Sequence, residues 1–383
     1  MNNTTVEAPY KICTKCVMDT TDPEIYFNEQ GVCNHCLDFK RSIKTSWFPN
    51  EEGERRLKII IQSIKAGGKG KKYDCVIGLS GGVDSSYLAL KVKEFGLRAL
   101  AIHVDAGWNS ETAVKNIESI VKYCNFDLHT HIVNWEDMKQ LQLAYLRSGV
   151  ANQDVPQDHI FFAKLYNFAL RNNITYVLTG SNIASESVFP KKWMYNSMDA
   201  RNLRAIYKKF GQGKLKGYKT ISFFKYYFYY LLIRRMIVVK LLNYLPYNKE
   251  EAITELKEKV GWRSYGNKHC ESIFTRFFQN YFLLERFNYD KRKPHFSSLI
   301  LSGQMSREDA LKKLQEPLYD ERQLQQDKAY VAKKLGISPE ELEKLMHIKI
   351  RDYSEFSSNQ KIYGYMKKFQ SLIETYFKVN KNL

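Results

Sequence analysis

Two groups of residues in this chain have the types and spacing to do chemistry. The first is the run Ser80-Gly81-Gly82-Val83-Asp84-Ser85-Ser86, between the apolar stretch YDCVIGL (73–79) and an amphipathic pattern that starts at residue 83. Glycines at such a junction let the backbone turn tightly and let an anion reach the amides with no Cβ in the way. A helix starting there adds unpaired N–H groups and the positive end of its dipole, which together favour phosphate. The hydroxyls of Ser80, Ser85 and Ser86 supplement the amides of Gly81, Gly82 and Val83, and Asp84 can hold a Mg²⁺ ion that bridges phosphate oxygens. Ser80 and Asp84 are the candidate catalytic residues. The run has neither the G-K-[ST] of a Walker loop nor the G-x-G-x-x-G of a dinucleotide loop. A serine-capped strand-to-helix turn is the plain alternative, and so many glycines and hydroxyls in seven residues argue against it.

The second group is CTKC (13–16) and CNHC (33–36), two C-x₂-C pairs separated by sixteen residues. The spacing matches a four-thiolate zinc site, in which Cys13, Cys16, Cys33 and Cys36 form two knuckles and place their sulfurs about 2.3 Å from one ion. Four thiolates leave no open position for water, so the site is expected to be structural. An iron–sulfur cluster is the competing occupant. His35, between two ligands, reads as a bystander. Of the seven cysteines, Cys75, Cys124 and Cys270 are scattered and read as structural.

These residues need elements to hold them. Apolar runs at 73–79, 98–104, 126–133 and 174–180 alternate with helical patterns at 83–95, 111–124, 136–147 and 157–171, which implies βαβ units and a parallel sheet. The strands are near-continuous apolar runs, as expected when helices cover both faces. LTGSN (178–182) ends the last of them, so Gly180, Ser181 and Asn182 stand at a carboxyl end, where ligands of open α/β sheets collect. The chain divides into a cysteine-bearing module (1–50), the α/β domain (51–190), a basic-aromatic helical insertion (191–265) and a mostly helical C-terminal region (266–383). In that last region Ser306 and Ser338 are expected as N-caps, with Pro339 at a first helical position.

At 383 residues the chain exceeds one compact core, and 59 Lys+Arg against 41 Asp+Glu give a net charge of +18. Such a field attracts nucleic acid, an anionic membrane surface or phosphorylated small molecules, and by itself chooses none of them. The N-terminus lacks the pattern of a secretory signal. The most apolar segment, residues 221–246, is interrupted by Lys225, Arg234, Arg235 and Lys240. No transmembrane span is expected, because one needs about 20 apolar residues. The cytoplasm is the expected compartment.

SGGVDSS after a first strand resembles the PP-loop of the N-type ATP pyrophosphatases, a superfamily that includes GMP synthetase, asparagine synthetase and several tRNA-modifying enzymes. The resemblance implies an adenine nucleotide alpha hydrolase-like α/β domain that cleaves ATP to AMP and pyrophosphate, with the loop gripping the leaving pyrophosphate. It also implies that AIHVDAGWNS (101–110) contacts the adenosine part of ATP, which marks His103 and Asp105 as nucleotide-binding candidates; for Asp105 a strand-end cap is the alternative. Together with the zinc-ribbon-like cysteine pattern ahead of the loop and TGSNIASES (179–187), the chain resembles the N-acetyl sugar amidotransferases of lipopolysaccharide and flagellin-glycan biosynthesis. These adenylate an acetamido oxygen and let ammonia displace AMP, giving an acetamidino sugar.

The resemblance implies ATP, Mg²⁺ and zinc as cofactors, and an acetamido sugar, nucleotide-linked or a sugar acid, as substrate. It further implies a separate glutaminase with a barrel subunit as ammonia donor. Consistently, residue 2 is Asn and no cysteine sits in a G-x-C-x-G elbow, so no built-in glutaminase is expected. The basic-aromatic insertion can dock that partner, form a homo-oligomer interface or lie at a membrane; a buried helical core is the plain alternative. Lys191, Lys192, Lys291 and Lys293 are candidates for a phosphate-neutralising lysine, and the segment 288–306 is expected to return to the site. The competing function is tRNA thiolation by the same loop chemistry, which needs catalytic cysteines and for which Cys124 and Cys270 are the candidates; the leading reading involves no nucleic acid.

Overall fold

A computed structural model describes residues 9–264 and 271–366. Each expected strand forms: β1 is Cys75–Gly78, β2 Ala99–Asp105, β3 Asp127–Ile132 and β4 Tyr176–Thr179. A further strand, β5, is Ile237–Lys240. All pairings are parallel, in the order β3-β2-β1-β4-β5. Successive residues of β1 enter different cores, Val76 on one side and Cys75 and Ile77 on the other. That explains why β1 and β2 read as continuous apolar runs.

The helices Val83–Glu94, Glu111–Cys124 and Lys249–Val260 cover one face, and Val155–Arg171 covers the other. Glycine at position 78 permits the second packing, since a Cβ there would stand 2.4 Å from Phe161 Cζ. Strand order reverses between β1 and β4, which puts the loop after β1 and the end of β4 side by side. This is the crevice where open α/β sheets bind ligands.

The insertion differs from expectation. It contains the helix Ala200–Phe210 and a π-helix, Lys225–Ile233, but then supplies β5, which extends the sheet from β4. Scattered basic residues masked the strand, while its β-branched Ile237-Val238-Val239 suits a half-buried edge. The C-terminal region is helical as expected, and Ser306 and Ser338 accept the amides of Asp309 and Glu341 as N-caps. It is no appendage: Phe274, Phe277, Phe278 and Phe282 are fully buried in the core beneath the sheet, with Phe274 against Trp108. Among the described residues no helix is long and apolar enough to cross a membrane.

Candidate functional site

The loop after β1 is held open by its own hydroxyls. Ser85 Oγ accepts the Ser80 amide at 3.3 Å and donates to the Gly82 carbonyl at 3.1 Å, while Ser80 Oγ accepts the Gly82 amide at 3.2 Å. Gly81 has φ +84°, and a Cβ on it would lie 2.6 Å from the Ala113 carbonyl oxygen. Only glycine fits both demands. The Gly81 carbonyl is turned away from the crevice, accepting from Trp262 Nε1 at 3.0 Å and Asn116 Nδ2 at 3.4 Å. The helix Val83–Glu94 starts at the loop, so its first N–H groups, which lack intrahelical partners, face the same crevice. Ser86 Oγ is buried and has no hydrogen-bond partner among the described residues.

Asp84 is the node that joins the loop to the rest of the site. Its Oδ1 accepts from Asn182 Nδ2 at 3.3 Å and from the Tyr247 hydroxyl. Burial, and then the Asp84 charge, push the Tyr247 phenol far above its usual range, so it stays a donor. Asn182 and Tyr247 are neutral donors that orient the carboxylate, which fits a residue that would hold Mg²⁺. The β4 end meets the loop directly: a Cβ on Gly180 would lie 2.9 Å from the Asp84 backbone. Asn182 caps the short helix Ile183–Glu186 through Ser185 N at 2.8 Å, and Ser181 is exposed.

His103 is placed as a strut. Its Nδ1 donates to the Leu79 carbonyl at 2.9 Å, and Asn109 Nδ2 donates to its Nε2 at 3.0 Å, so both ring nitrogens are spent on holding the loop. Asp105 Oδ1 accepts the Gly107 amide at 2.7 Å, the strand-end turn that was the alternative to nucleotide contact. The chain after residue 270 reaches this same edge. Asn109 and Ser272 form a bridge, Ile273 N donates to the Trp108 carbonyl at 2.8 Å, and Ser272 Oγ donates to Gln157 Oε1 at 3.4 Å. Gln157 lies one turn before Phe161, at the start of the helix that covers β1. Beside it Asp154 is buried, accepting from Gln157 Nε2 at 2.9 Å and Thr275 Oγ1 at 3.1 Å. Burial, and then the Asp158 charge, push the Asp154 carboxyl up, against hydrogen bonds from Thr275 and Gln279 that lower it.

Residues of the segment 288–306, expected to return to the site, pack at the other end of the crevice. Gln304 Nε2 donates to the Tyr247 carbonyl at 3.1 Å, Ser302 Oγ to the Ala184 carbonyl at 2.8 Å, and His295 Nδ1 lies 3.2 Å from the Ser185 carbonyl. Two of the lysine candidates are occupied elsewhere: Lys192 pairs with Asp352 and Lys293 with Asp19. Lys291 sits 5.8 Å from the Phe189 ring, and Lys191 is exposed.

The four N-terminal cysteines converge and are buried, with their sulfurs within 4.8 Å of one another. Sγ separations are 3.8 Å for Cys13–Cys36 and 3.7 Å for Cys16–Cys33 and Cys33–Cys36. Tetrahedral ligands about 2.3 Å from one ion stand about 3.8 Å apart, so the donor set fits a single zinc ion. Amides of Lys15 and Cys33 point at Cys13 Sγ, both at 3.3 Å, as a thiolate requires. His35 is paired with Asp22 at 2.7 Å. The module is tied to the C-terminal region by Arg307, whose guanidinium donates to the Cys13 and Cys16 carbonyls. Cys270 lies outside the described residues.

Tyr247, Trp262 and Asn116 were not legible as site residues. Each acts on the loop from a distant point in the chain, and no local spacing marks them.

With this geometry in place, comparison with known proteins adds identity at the C-terminal end. Residues 271–372 match the family described as "LPS biosynthesis protein WbpG-like, C-terminal domain". An uncharacterized protein of Methanocaldococcus jannaschii is 30% identical over 120 residues, which is 30% of this chain and 40% of the relative. A tRNA-specific 2-thiouridylase of Fusobacterium nucleatum is 32% identical over 126 residues, 30% of this chain and 36% of that protein. The chain thus spans two fifths or less of these curated relatives. Among solved structures, an NMN synthetase from Francisella tularensis aligns over 79% of this chain and 98% of its own, at 14% identity and a TM-score of 0.34. An NH₃-dependent NAD synthetase from Campylobacter jejuni aligns over 41% of this chain and 72% of its own, at 17% identity and 0.29.

Proposed function

We propose that this chain, an α/β protein with a PP-loop and a WbpG-like C-terminal domain, is an ATP-dependent, AMP-forming amidotransferase that converts the acetamido group of a sugar into an acetamidino group. One observation carries the reading. The WbpG-like segment packs on residues that support this loop: Ser272 bridges Asn109, which bonds His103, and Gln304 bonds the carbonyl of Tyr247, whose hydroxyl donates to Asp84. That packing supports a reading in which a domain described by lipopolysaccharide biosynthesis serves the same site as a loop suited to a leaving pyrophosphate.

An amide oxygen leaves poorly until it is esterified. In the proposed reaction that oxygen attacks the α-phosphorus of ATP and the bond to pyrophosphate breaks. Ammonia then adds to the imidate carbon, the C–O bond to AMP breaks, and protons pass to water, leaving the amidine. The residues' share is charge and position. The amides of Gly81, Gly82 and Val83 with the hydroxyls of Ser80, Ser85 and Ser86 hold the pyrophosphate, and Asp84 would hold the Mg²⁺ that neutralises it. Gly180, Ser181 and Asn182 would border the nucleotide. Ammonia enters from a separate glutaminase or from solution.

The likeness to a thiouridylase supports a second reading, tRNA thiolation. Against it, Cys124, one of the two candidate cysteines, is buried, and burial pushes its thiol up to about 12, so it is no ready thiolate; the other, Cys270, lies outside the described residues. Incubation with ATP, Mg²⁺, ammonium and a panel of nucleotide-linked acetamido sugars and acetamido sugar acids tests the proposal. It requires AMP together with a sugar product in which NH replaces O. AMP formed only when tRNA is present, with the sugar unchanged, would favour thiolation.

A further inference from the structure

Residues in and beside the π-helix Lys225–Ile233 form an apolar stripe that is exposed among the described residues. Phe224, Leu232 and Ile233 are 67%, 66% and 68% exposed, and Phe228, Tyr229 and Ile237 are exposed with them. Spacing of four and five residues puts them on one side of the wider π-turn, while Tyr230 and Tyr226 on the other side pack on Tyr166. Exposed apolar groups scattered singly need no explanation, but a contiguous stripe of this size marks a contact surface.

Positive charge rims the stripe. Lys225 precedes it, Arg234 and Arg235 follow it, and Lys240 ends β5 beyond; all are exposed. Arg235 sits at φ +48°, a left-handed conformation costly for a residue with a Cβ, at the turn that reverses the chain beside the stripe. Lys225 also enters a groove of about 480 Å³, lined further by Lys164, Arg171, Arg204 and Lys219. None of these five cations pairs with a carboxylate among the described residues. Their crowding is felt. Burial, then the charges of Lys219 and Arg171, lower Lys164, and His131 at the groove wall falls to about 4 through burial and then the Lys164 and His129 charges. The groove borders the π-helix: Lys225 lines it, and Asn167 in it accepts the hydroxyl of Tyr230 on the helix's packed side.

We infer that this face rests on an anionic bilayer, the stripe entering the interface and the groove and rim taking phospholipid head groups. An apolar ridge bordered by Lys, Arg and tyrosine is the composition that lies in a membrane interface without spanning it. Charge selects the occupant: a second copy of a chain at +18 would bring one basic rim against another, whereas anionic lipid matches both features. The inference is independent of the reaction proposed above.

The test is flotation of the full chain with vesicles of phosphatidylcholine alone or mixed with phosphatidylglycerol, across salt concentrations. Binding is expected only to the anionic vesicles and is expected to weaken as salt rises. Arg234→Gln and Arg235→Gln should each reduce partitioning about fivefold. Leu232→Asp with Ile233→Asp should reduce it by about tenfold or more. These side chains are exposed, so melting and vesicle-free ATP turnover should match the parent. No binding to anionic vesicles would overturn the inference, as would binding that the Asp variants leave intact. So would concentration-dependent dimerisation abolished by those variants, or nucleic-acid binding at the groove without vesicle binding.

Discussion

At the scale of single residues the account turns on Asp84, held by Asn182 and Tyr247. Asp84→Asn keeps the size and can still accept from Tyr247, so the melting temperature should change little. AMP formation should fall at least about a hundredfold, since a charge that positions phosphate and metal is lost. Activity near the parent's would remove Asp84 from the metal role. Gly81→Ala puts a Cβ against the Ala113 carbonyl and costs about 1–2 kcal/mol in backbone conformation alone. It should raise the Kd for ATP, measured by calorimetry, before it unfolds the protein; unchanged ATP binding would mean the loop is not the phosphate cradle. The loop could be read from sequence because its demands are local: glycine where φ is positive, hydroxyls and an acid at a helix start. Tyr247 could not, because it lies 163 residues from Asp84 and only tertiary packing brings them together.

At the scale of elements, the strands and helices of the α/β core were legible from burial on both faces, which writes apolar runs into the sequence. β5 was not, because an edge strand with Val239 alone buried leaves only a short β-branched run amid basic residues. The cysteine pairs were legible because metal geometry fixes their spacing. Their role as a staple was not, since it depends on Arg307 and on Val17 N donating to Ser297 Oγ. Metal analysis should find one zinc per chain. Cys36→Ser should lose it and lower the melting temperature, because binding energy of a structural site is folding energy. Full stability without metal would contradict this. A second junction joins the loop helix to the helix Lys249–Val260. There burial raises the Glu255 carboxyl, but hydrogen bonds from Lys259 and Lys91 outweigh it and bring it to about 2. A depressed carboxyl stabilises above its unfolded value, near 4.3, and that stabilisation is lost as pH falls towards 2. The melting difference between parent and Glu255→Gln, no more than about 1 kcal/mol for so exposed a pair, should therefore shrink across that window. A difference independent of pH would show that the pair does not contribute.

At the scale of the whole molecule, a strongly basic chain places the Ser80–Ser86 loop at the switch point of a parallel sheet, and its WbpG-like segment packs on Asn109 and Tyr247 beside that loop. The charge was legible and its distribution was not. Part of it lines the groove beside the π-helix, remote in sequence from the loop. The central claim is that the acetamido oxygen itself becomes bonded to the α-phosphorus. The most direct measurement gives the enzyme an acetamido sugar labelled at the acetyl oxygen with a heavy isotope, together with ATP, Mg²⁺ and ammonium. The account predicts that the label leaves the sugar and appears in the phosphate of AMP, matching the acetamidino product formed. Label retained in the sugar, or AMP formed without it, would contradict the account.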